Sequence, residues 1–187
     1  MKPSKPVLAV LVLAAVAGAV LLAVFARRAG PLELPVPEGY ERQEGLPDYV
    51  GDEPPKGPVL LAIFWRGKNG VEVSVFPDYT KPGQFDMVCL GRSLDFDRVK
   101  NLHELVDEKE RIDTVAEEFH QDKTLCYEVY LTPVEDCHKL RASYYFPTAR
   151  GVFEVAFGSL VTENDEYEEE LAFQRDYVER LRAAAEK

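Results

Sequence analysis

The sequence has few of the residues from which metal sites and nucleophilic sites are built. Its 187 residues include three cysteines and three histidines. A zinc site needs two pairs of cysteine or histidine spaced two to four residues apart, and the adjacent Cys137 and His138 do not supply them. The chain also lacks a glycine-rich phosphate loop, a Gly-x-Ser-x-Gly elbow and an HExxH motif. We therefore predict no metal site, no cofactor and no catalytic constellation.

Basic residues are also scarce. Lysine and arginine number 22 against 33 aspartates and glutamates, which gives a net charge of −11. Residues 1–30 hold four of the basic residues and none of the acidic ones, so the remaining chain carries 18 positive and 33 negative side chains. Such a surface repels phosphate backbones, and no basic stripe interrupts it. These charges argue against a nucleic-acid partner.

The N-terminus carries an unbroken run of twenty apolar or small residues, Val7 to Ala26. As a helix this run is about 30 Å long, enough to cross a bilayer core. We predict that residues 1–26 form a single transmembrane helix that anchors the chain in the cell membrane, with the domain outside the cytoplasm. Cleavage of a signal peptide after Ala26 is the alternative, although the apolar region of a signal peptide is shorter, roughly 7 to 15 residues.

The rest of the chain divides into a spacer and a domain. Residues 27–58 contain seven prolines, which disfavour helices and central strands, so we predict a linker there. Residues 59–187 are predicted to form the soluble domain. The Asn69-Gly70 pair predicts a tight hairpin turn. A short apolar run bounded by turn residues predicts a strand at Val59–Trp65. Alternating apolar residues predict four more strands: Val71–Phe76, Thr124–Leu131, His138–Phe146 and Val152–Phe157.

Helical spacing of apolar residues predicts three helices in this domain. They cover Leu94–Val106, Ile112–Phe119 and a C-terminal stretch that begins near Thr162, and a further short strand is expected at Met87–Leu90. The order of these elements predicts an α+β fold. We expect an antiparallel β-sheet covered on one face by helices and preceded by one N-terminal transmembrane helix.

Cys126 and Cys137 test this fold, because they flank the turn of a predicted hairpin. If the apolar faces coincide, Val129 lies opposite Leu140, Cys126 opposite Ser143 and Cys137 opposite Thr132. The two cysteines are then on the order of 20 Å apart, whereas a disulfide needs Cα atoms within roughly 7 Å. The hairpin and a Cys126–Cys137 disulfide therefore exclude each other. A bond from Cys89 to either of them stays open.

Two tyrosines are candidates for a binding surface. Tyr130 and Tyr145 fall on the strand positions opposite the apolar core face, so we expect them to be exposed. Exposed aromatic residues on a sheet serve as contact sites for partners. The alternative is that they form ordinary cross-strand pairs.

The last third of the chain resembles a known family. The stretch LRASYYFPTARGVFEVAFGSLV, followed by an acidic-start helix that ends in ERLRAA, is similar to PsbP-like domains, and PEGYERQEG is similar to their entry segment. The resemblance covers roughly residues 124–185. It implies late antiparallel strands leading into a C-terminal helix packed across the sheet. It also implies a binding or assembly role and carries over no functional residue.

Two functions follow from these observations. The first is a membrane-anchored, extracytoplasmic binding or assembly module with a protein partner and without catalysis. It is motivated by the anchor, the spacer and the missing catalytic motifs. The alternative is a thiol-dependent enzyme or redox protein that uses Cys89, Cys126 or Cys137.

Overall fold

Seven antiparallel strands form one sheet in a computed structural model that describes residues 32–44, 57–105, 114–162 and 164–186. Their order across the sheet is β1-β2-β3-β7-β6-β5-β4, and residues 34–186 form one unit. Helix α1 spans Gln84–Leu105 and helix α2 spans Asn164–Ala185. The strands are β1 Glu41–Arg42, β2 Val59–Arg66, β3 Asn69–Phe76, β4 Val115–Gln121, β5 Cys126–Val134, β6 Cys137–Thr148 and β7 Gly151–Val161.

The two helices cover opposite faces of the sheet. Tyr144 and Tyr145 are neighbours on β6 and so point to opposite sides. The Tyr144 hydroxyl donates a hydrogen bond to Gln174 of α2 at 3.4 Å, whereas the guanidinium of Arg92 in α1 lies 5.2 Å from the Tyr145 ring centre. The predicted α+β arrangement, with helices on one face, is therefore wrong. Strands β5, β6 and β7 bury side chains on both faces, so each face needs a cover.

The predicted transmembrane helix, residues 1–26, lies outside the described residues. Neither of the two helices in the described part of the chain is both long and apolar enough to cross a membrane. The fold-class prediction is thus replaced by a seven-stranded antiparallel sheet between two helices.

The C-terminal helix is confirmed, and its apolar stripe packs on the sheet as expected. Leu171, Val178, Leu181 and Ala185 are all buried. Tyr177, between them, is also fully buried and makes edge-on contacts with Phe64 and Phe157. Such aromatic pairs add to the free energy of burial. The stripe was recognisable because α2 is apolar on one side and charged on the other.

Helix α1 begins ten residues before the predicted start at Leu94 and includes the residues predicted as a short strand. Its inner side buries Phe85, Cys89 and Phe96. Its outer side also carries large apolar residues: Met87, Leu90 and Leu94 are 73%, 60% and 62% exposed. Apolar residues on both sides of one helix erase the periodic pattern by which an amphipathic helix is recognised.

The predicted helix Ile112–Phe119 is also wrong, because β4 starts at Val115 and pairs with β5. A bulge between Ala116 and Glu118 shifts the register within this strand. A bulge interrupts the alternation of apolar and polar residues by which a strand is recognised. The apolar residues of this segment therefore match helical spacing only by chance. Pairing with β5 then decided the conformation against local pattern.

The hairpin between β2 and β3 turns at Gly67-Lys68 and not at the predicted Asn69-Gly70. Gly67 has a φ of 62°, the left-handed conformation that glycine adopts without strain. Asn69 instead lies in β3, where its side-chain oxygen accepts a hydrogen bond from the backbone N–H of Leu160 at 3.2 Å. Gly67-Lys68 and Asn69-Gly70 could each form the turn. The contact of Asn69 with Leu160 of β7 favours the turn at Gly67-Lys68.

The hairpin of β5 and β6 has the predicted facing of side chains but a register shifted by two residues. Cys126 lies opposite Tyr145 and Cys137 lies opposite Val134, in place of the predicted Ser143 and Thr132. The turn is therefore only Glu135-Asp136, with Glu135 at a φ of 49°. Alternation fixes which face a residue takes, but it cannot distinguish registers that differ by two.

Part of the predicted linker packs on the domain. Strand β1 pairs with the end of β2, Tyr40 stacks on Phe173 of α2 at 5.6 Å, and the Tyr177 hydroxyl donates a hydrogen bond to the carbonyl of Pro35 at 2.9 Å. These contacts close the edge of the sheet beside β2.

Candidate functional site

Helix α1 covers only part of its face of the sheet. It packs on β4, β5 and the adjoining part of β6. The buried cluster under α1 also includes Val152 at the start of β7, with Phe76 at the end of β3 packed against it. The rest of this face on β2, β3 and β7 has no helix above it in the described part of the chain. This uncovered area extends onto β6. Here the sheet presents a concave surface to solvent. We call this surface the Trp65 groove.

The Trp65 groove is a cavity of about 360 Å³ on the face opposite α2. Its first wall is Trp65, and its second wall is formed by the charged residues of β6. The floor between the walls consists of small residues. The side chains on this face that line it are Trp65, Lys68, Gly70, Glu72, Lys139, Arg141, Ser143, Ala156, Gly158 and Leu160.

The sheet register sets the width of the groove. Trp65, Gly70, Gly158 and Arg141 form one row across β2, β3, β7 and β6. Neighbouring strands lie about 4.8 Å apart, so roughly 14 Å separate the two ends of this row. The same row continues on β5 to Tyr130, which pairs with Arg141. Two adjacent glycines thus form the flat floor between an indole ring and a guanidinium group.

Gly70 is explained by the position of Trp65. A Cβ atom at Gly70 would lie 2.5 Å from the Trp65 ring, so only glycine lets the indole lie flat against β3. The indole N–H donates a hydrogen bond to the side-chain oxygen of Gln43 at 3.0 Å, and the residue remains 44% exposed. The ring is therefore held in one orientation while one side of it stays open to solvent.

Gly158 has no such explanation within the chain. A Cβ atom there would meet no atom within 4 Å. Glycine in the middle of a strand costs stability and commonly marks a place where a ligand or another backbone comes close. Because nothing in the described chain fills the space above Gly158, the residue fits a floor that a bound molecule covers.

The charges around the groove are opposite in sign to those of the protein. Lys68, Lys139 and Arg141 are exposed, and none of the three forms an ion pair within the described residues. Glu72 is the one acidic side chain in the described lining. Three cations and one anion on an acidic protein form a local site for negative charge.

Two other cavities lie beside α2, and an arginine in each of them already forms an ion pair. One is lined by His120, Tyr127 and Arg175, and Arg175 forms an ion pair with Glu118 at 3.1 Å. The other is lined by Arg66 and three glutamates, and Arg66 lies 3.6 Å from Glu170. Their cations are therefore less available to a ligand than those of the Trp65 groove.

The structure places the predicted binding residues Tyr130 and Tyr145 in different surroundings. Tyr145 is 1% exposed beneath α1, and its hydroxyl donates a hydrogen bond to Glu154 at 2.9 Å. The expectation that Tyr145 is exposed is wrong, because α1 covers this part of the face. Tyr130 is half-buried against Phe96, with its hydroxyl bonded to Glu128. It borders the Trp65 groove through its pairing with Arg141.

The three cysteines are free thiols in different surroundings. Cys89 and Cys126 are both fully buried, and burial raises the pKa of each thiol. A raised pKa leaves little thiolate, the form that attacks substrates. Cys137 is half-buried and donates a hydrogen bond to the carbonyl of Val134 at 3.3 Å. Among the described residues, no three His, Cys, Asp or Glu side chains converge as a metal site.

No protein-family model, no curated protein and no solved structure matches this chain. The resemblance to PsbP-like domains therefore stays a prediction. The fold and the groove alone define the class of protein. Its described residues form an antiparallel sheet with one helix on each face and an open, cationic surface beside the one tryptophan of the sequence.

Substitution of the two floor glycines separates their roles. We expect Gly158→Ala to leave the free energy of unfolding unchanged or to raise it by up to about 1 kcal/mol, because alanine costs less chain entropy and meets no atom. Gly70→Ala should lower it by about 1 kcal/mol or more, because the new methyl group displaces the Trp65 ring. Urea unfolding at neutral pH measures both. Equal destabilisation by the two variants would show that Gly158 is needed by the fold itself.

Proposed function

We propose that this protein is a non-enzymatic binding or assembly module whose Trp65 groove binds an acidic segment of a protein partner. The observation that carries the proposal is the group of unpaired cations Lys68, Lys139 and Arg141 beside the exposed indole of Trp65, on a chain with a net charge of −11. The flat floor of Gly70 and Gly158 leaves room for an extended backbone.

Each part of the groove has a chemical role in this proposal. Arg141 offers a carboxylate two parallel hydrogen bonds, and Lys68 and Lys139 add point charges. The indole of Trp65 offers an apolar surface to an aliphatic or aromatic side chain of the same segment. The acidic remainder of the protein repels an acidic segment everywhere except at these cations. Affinity should therefore fall as salt screens the charges.

The outer side of α1 supports a role in assembly. Met87, Leu90 and Leu94 lie at helical spacing and are each more than half exposed. Exposed apolar residues that lie together mark surfaces for protein contact. This apolar stripe offers a partner a second surface on the helix beside the groove.

The thiol-enzyme alternative has less support. Burial raises the pKa of Cys89 and of Cys126, and both side chains are 0% exposed. A nucleophilic thiol needs access to substrate and a neighbouring base that lowers its pKa. Neither buried cysteine meets these conditions, and no charged group is paired with the thiol of Cys137 among its described contacts.

Fluorescence of Trp65 tests binding directly, because it is the one tryptophan of the chain. We expect hexaglutamate, titrated into the purified full chain in detergent, to change the Trp65 emission saturably and less so at high salt. Hexalysine should have no such effect. Arg141→Glu and Lys139→Glu should each weaken the apparent affinity by fivefold or more, since they reverse a charge at the site.

Lys123→Glu is the matched control, because Lys123 is an exposed lysine in the turn between β4 and β5, at the other edge of the sheet. It makes the same change in net charge and should leave the affinity nearly unchanged. An equal loss in the control, or an emission that hexaglutamate does not alter, would contradict binding in the groove.

We also propose that the apolar run Val7–Ala26 holds this domain at the cell membrane, outside the cytoplasm. Support comes from its twenty uncharged residues and from the flanking lysines and arginines.

The full chain should remain in the membrane pellet after washing with alkaline carbonate, and a variant lacking residues 1–26 should move to the supernatant. Protease added to intact cells should digest the domain. Recovery of the full chain in the supernatant would contradict the anchor. Protection of the domain from protease would contradict its orientation outside the cytoplasm.

A further inference from the structure

Two of the three cysteines lie side by side in the core between α1 and the sheet. Cys89 comes from α1 and Cys126 is the first residue of β5, and both are 0% exposed. They belong to one apolar cluster that also contains Phe85, Tyr145 and Val152. Both side chains therefore lie in the same buried space between α1 and β5, although β4 and the end of α1 separate them along the chain.

We propose that Cys89 and Cys126 form a structural disulfide that ties α1 to β5 when the protein folds in the presence of an oxidised thiol reagent. One thiolate attacks a sulfur of the reagent's disulfide, which forms a mixed disulfide and releases one reagent thiol. The second cysteine, as its thiolate, then attacks the protein sulfur of the mixed disulfide and releases the second reagent thiol. The cysteine pair loses two electrons and two protons, and the reagent's two sulfurs gain them.

The third cysteine is too far away to take part. Cys126 pairs with Tyr145 at one end of the β5–β6 ladder, and Cys137 pairs with Val134 at the other end. Eight residues at about 3.3 Å each place roughly 26 Å between them, well beyond the reach of a disulfide. The structure therefore selects one of the three possible pairings, which the sequence alone leaves open.

Burial determines when the bond forms. Both thiols are closed off from solvent once α1 packs on the sheet, so exchange takes place during folding, before the helix docks. The finished bond is then shielded from reductants, as structural disulfides of secreted proteins are. It fixes α1 on the sheet, where Arg92, three residues after Cys89, lies over the Tyr145 ring of β6. This inference does not depend on what the groove binds.

Oxidative refolding tests the pairing on the purified full chain. The protein is unfolded in guanidinium chloride and refolded in detergent, either with excess reductant or with mixed reduced and oxidised glutathione. It is then denatured again and alkylated without reduction. We expect one reactive thiol per chain after refolding with glutathione and three after refolding with reductant. Peptide mapping should show Cys89 linked to Cys126 and Cys137 alkylated.

Stability gives a second measurement. The oxidised form should melt roughly 5 to 15 °C above the reduced form, because the bond restricts the unfolded chain. Cys137→Ala should keep this difference, whereas Cys89→Ala and Cys126→Ala should abolish it. Three alkylated thiols after refolding with glutathione, or a bond that includes Cys137, would overturn the proposal. Mapping the natural chain gives this answer even if an alanine variant fails to fold.

Discussion

The structure depends on the burial of its central strands on both faces. Strands β5, β6 and β7 carry apolar side chains toward α2 and, at one end, toward α1. Helix α2 covers its face, whereas α1 covers only β4, β5, the adjoining part of β6 and the start of β7. The uncovered part of the second face cannot be apolar without exposing that surface to water. Apart from Trp65 and Leu160, the side chains that line it are glycine, alanine, serine and charged residues, and this composition forms the Trp65 groove.

Charge and shape act together at this groove. The protein repels anions at a distance, but three cations without partners among the described residues lie within one cavity of about 360 Å³. The net negative charge of the protein slows the approach of an acidic ligand, whereas the three cations bind it once it reaches the groove. This arrangement favours selective binding over fast association. The neighbouring helix supplies the rest of the site's surroundings. Arg92 lies over Tyr145, and the buried cluster that contains Cys89 and Cys126 holds α1 against the sheet that continues into the groove floor.

The sequence predicted the elements whose pattern is local and one-sided. The stripe of Leu171, Val178 and Leu181 identifies α2, because its other face is charged. The same pattern did not identify the start of helix α1, because Met87 and Leu94 are apolar residues on its outer side. The Trp65 groove was not predictable from spacing. Gly70, Arg141 and Gly158 come together only through the pairing of β3 with β7 and of β7 with β6. A tryptophan followed five residues later by a strand glycine was the one local signal, and it was masked by the Asn69-Gly70 turn pattern.

Amide and indole chemical-shift mapping on the ¹⁵N-labelled full chain tests the central claim most directly, because it locates a bound acidic peptide residue by residue. With hexaglutamate as the probe, we expect the largest shifts at the indole N–H of Trp65 and at the amides of Gly70, Ser143 and Gly158. Amides of α2, on the opposite face, should move little. Shifts concentrated on Met87, Leu90 and Leu94, or spread evenly over the protein, would contradict the claim that the Trp65 groove is the binding site.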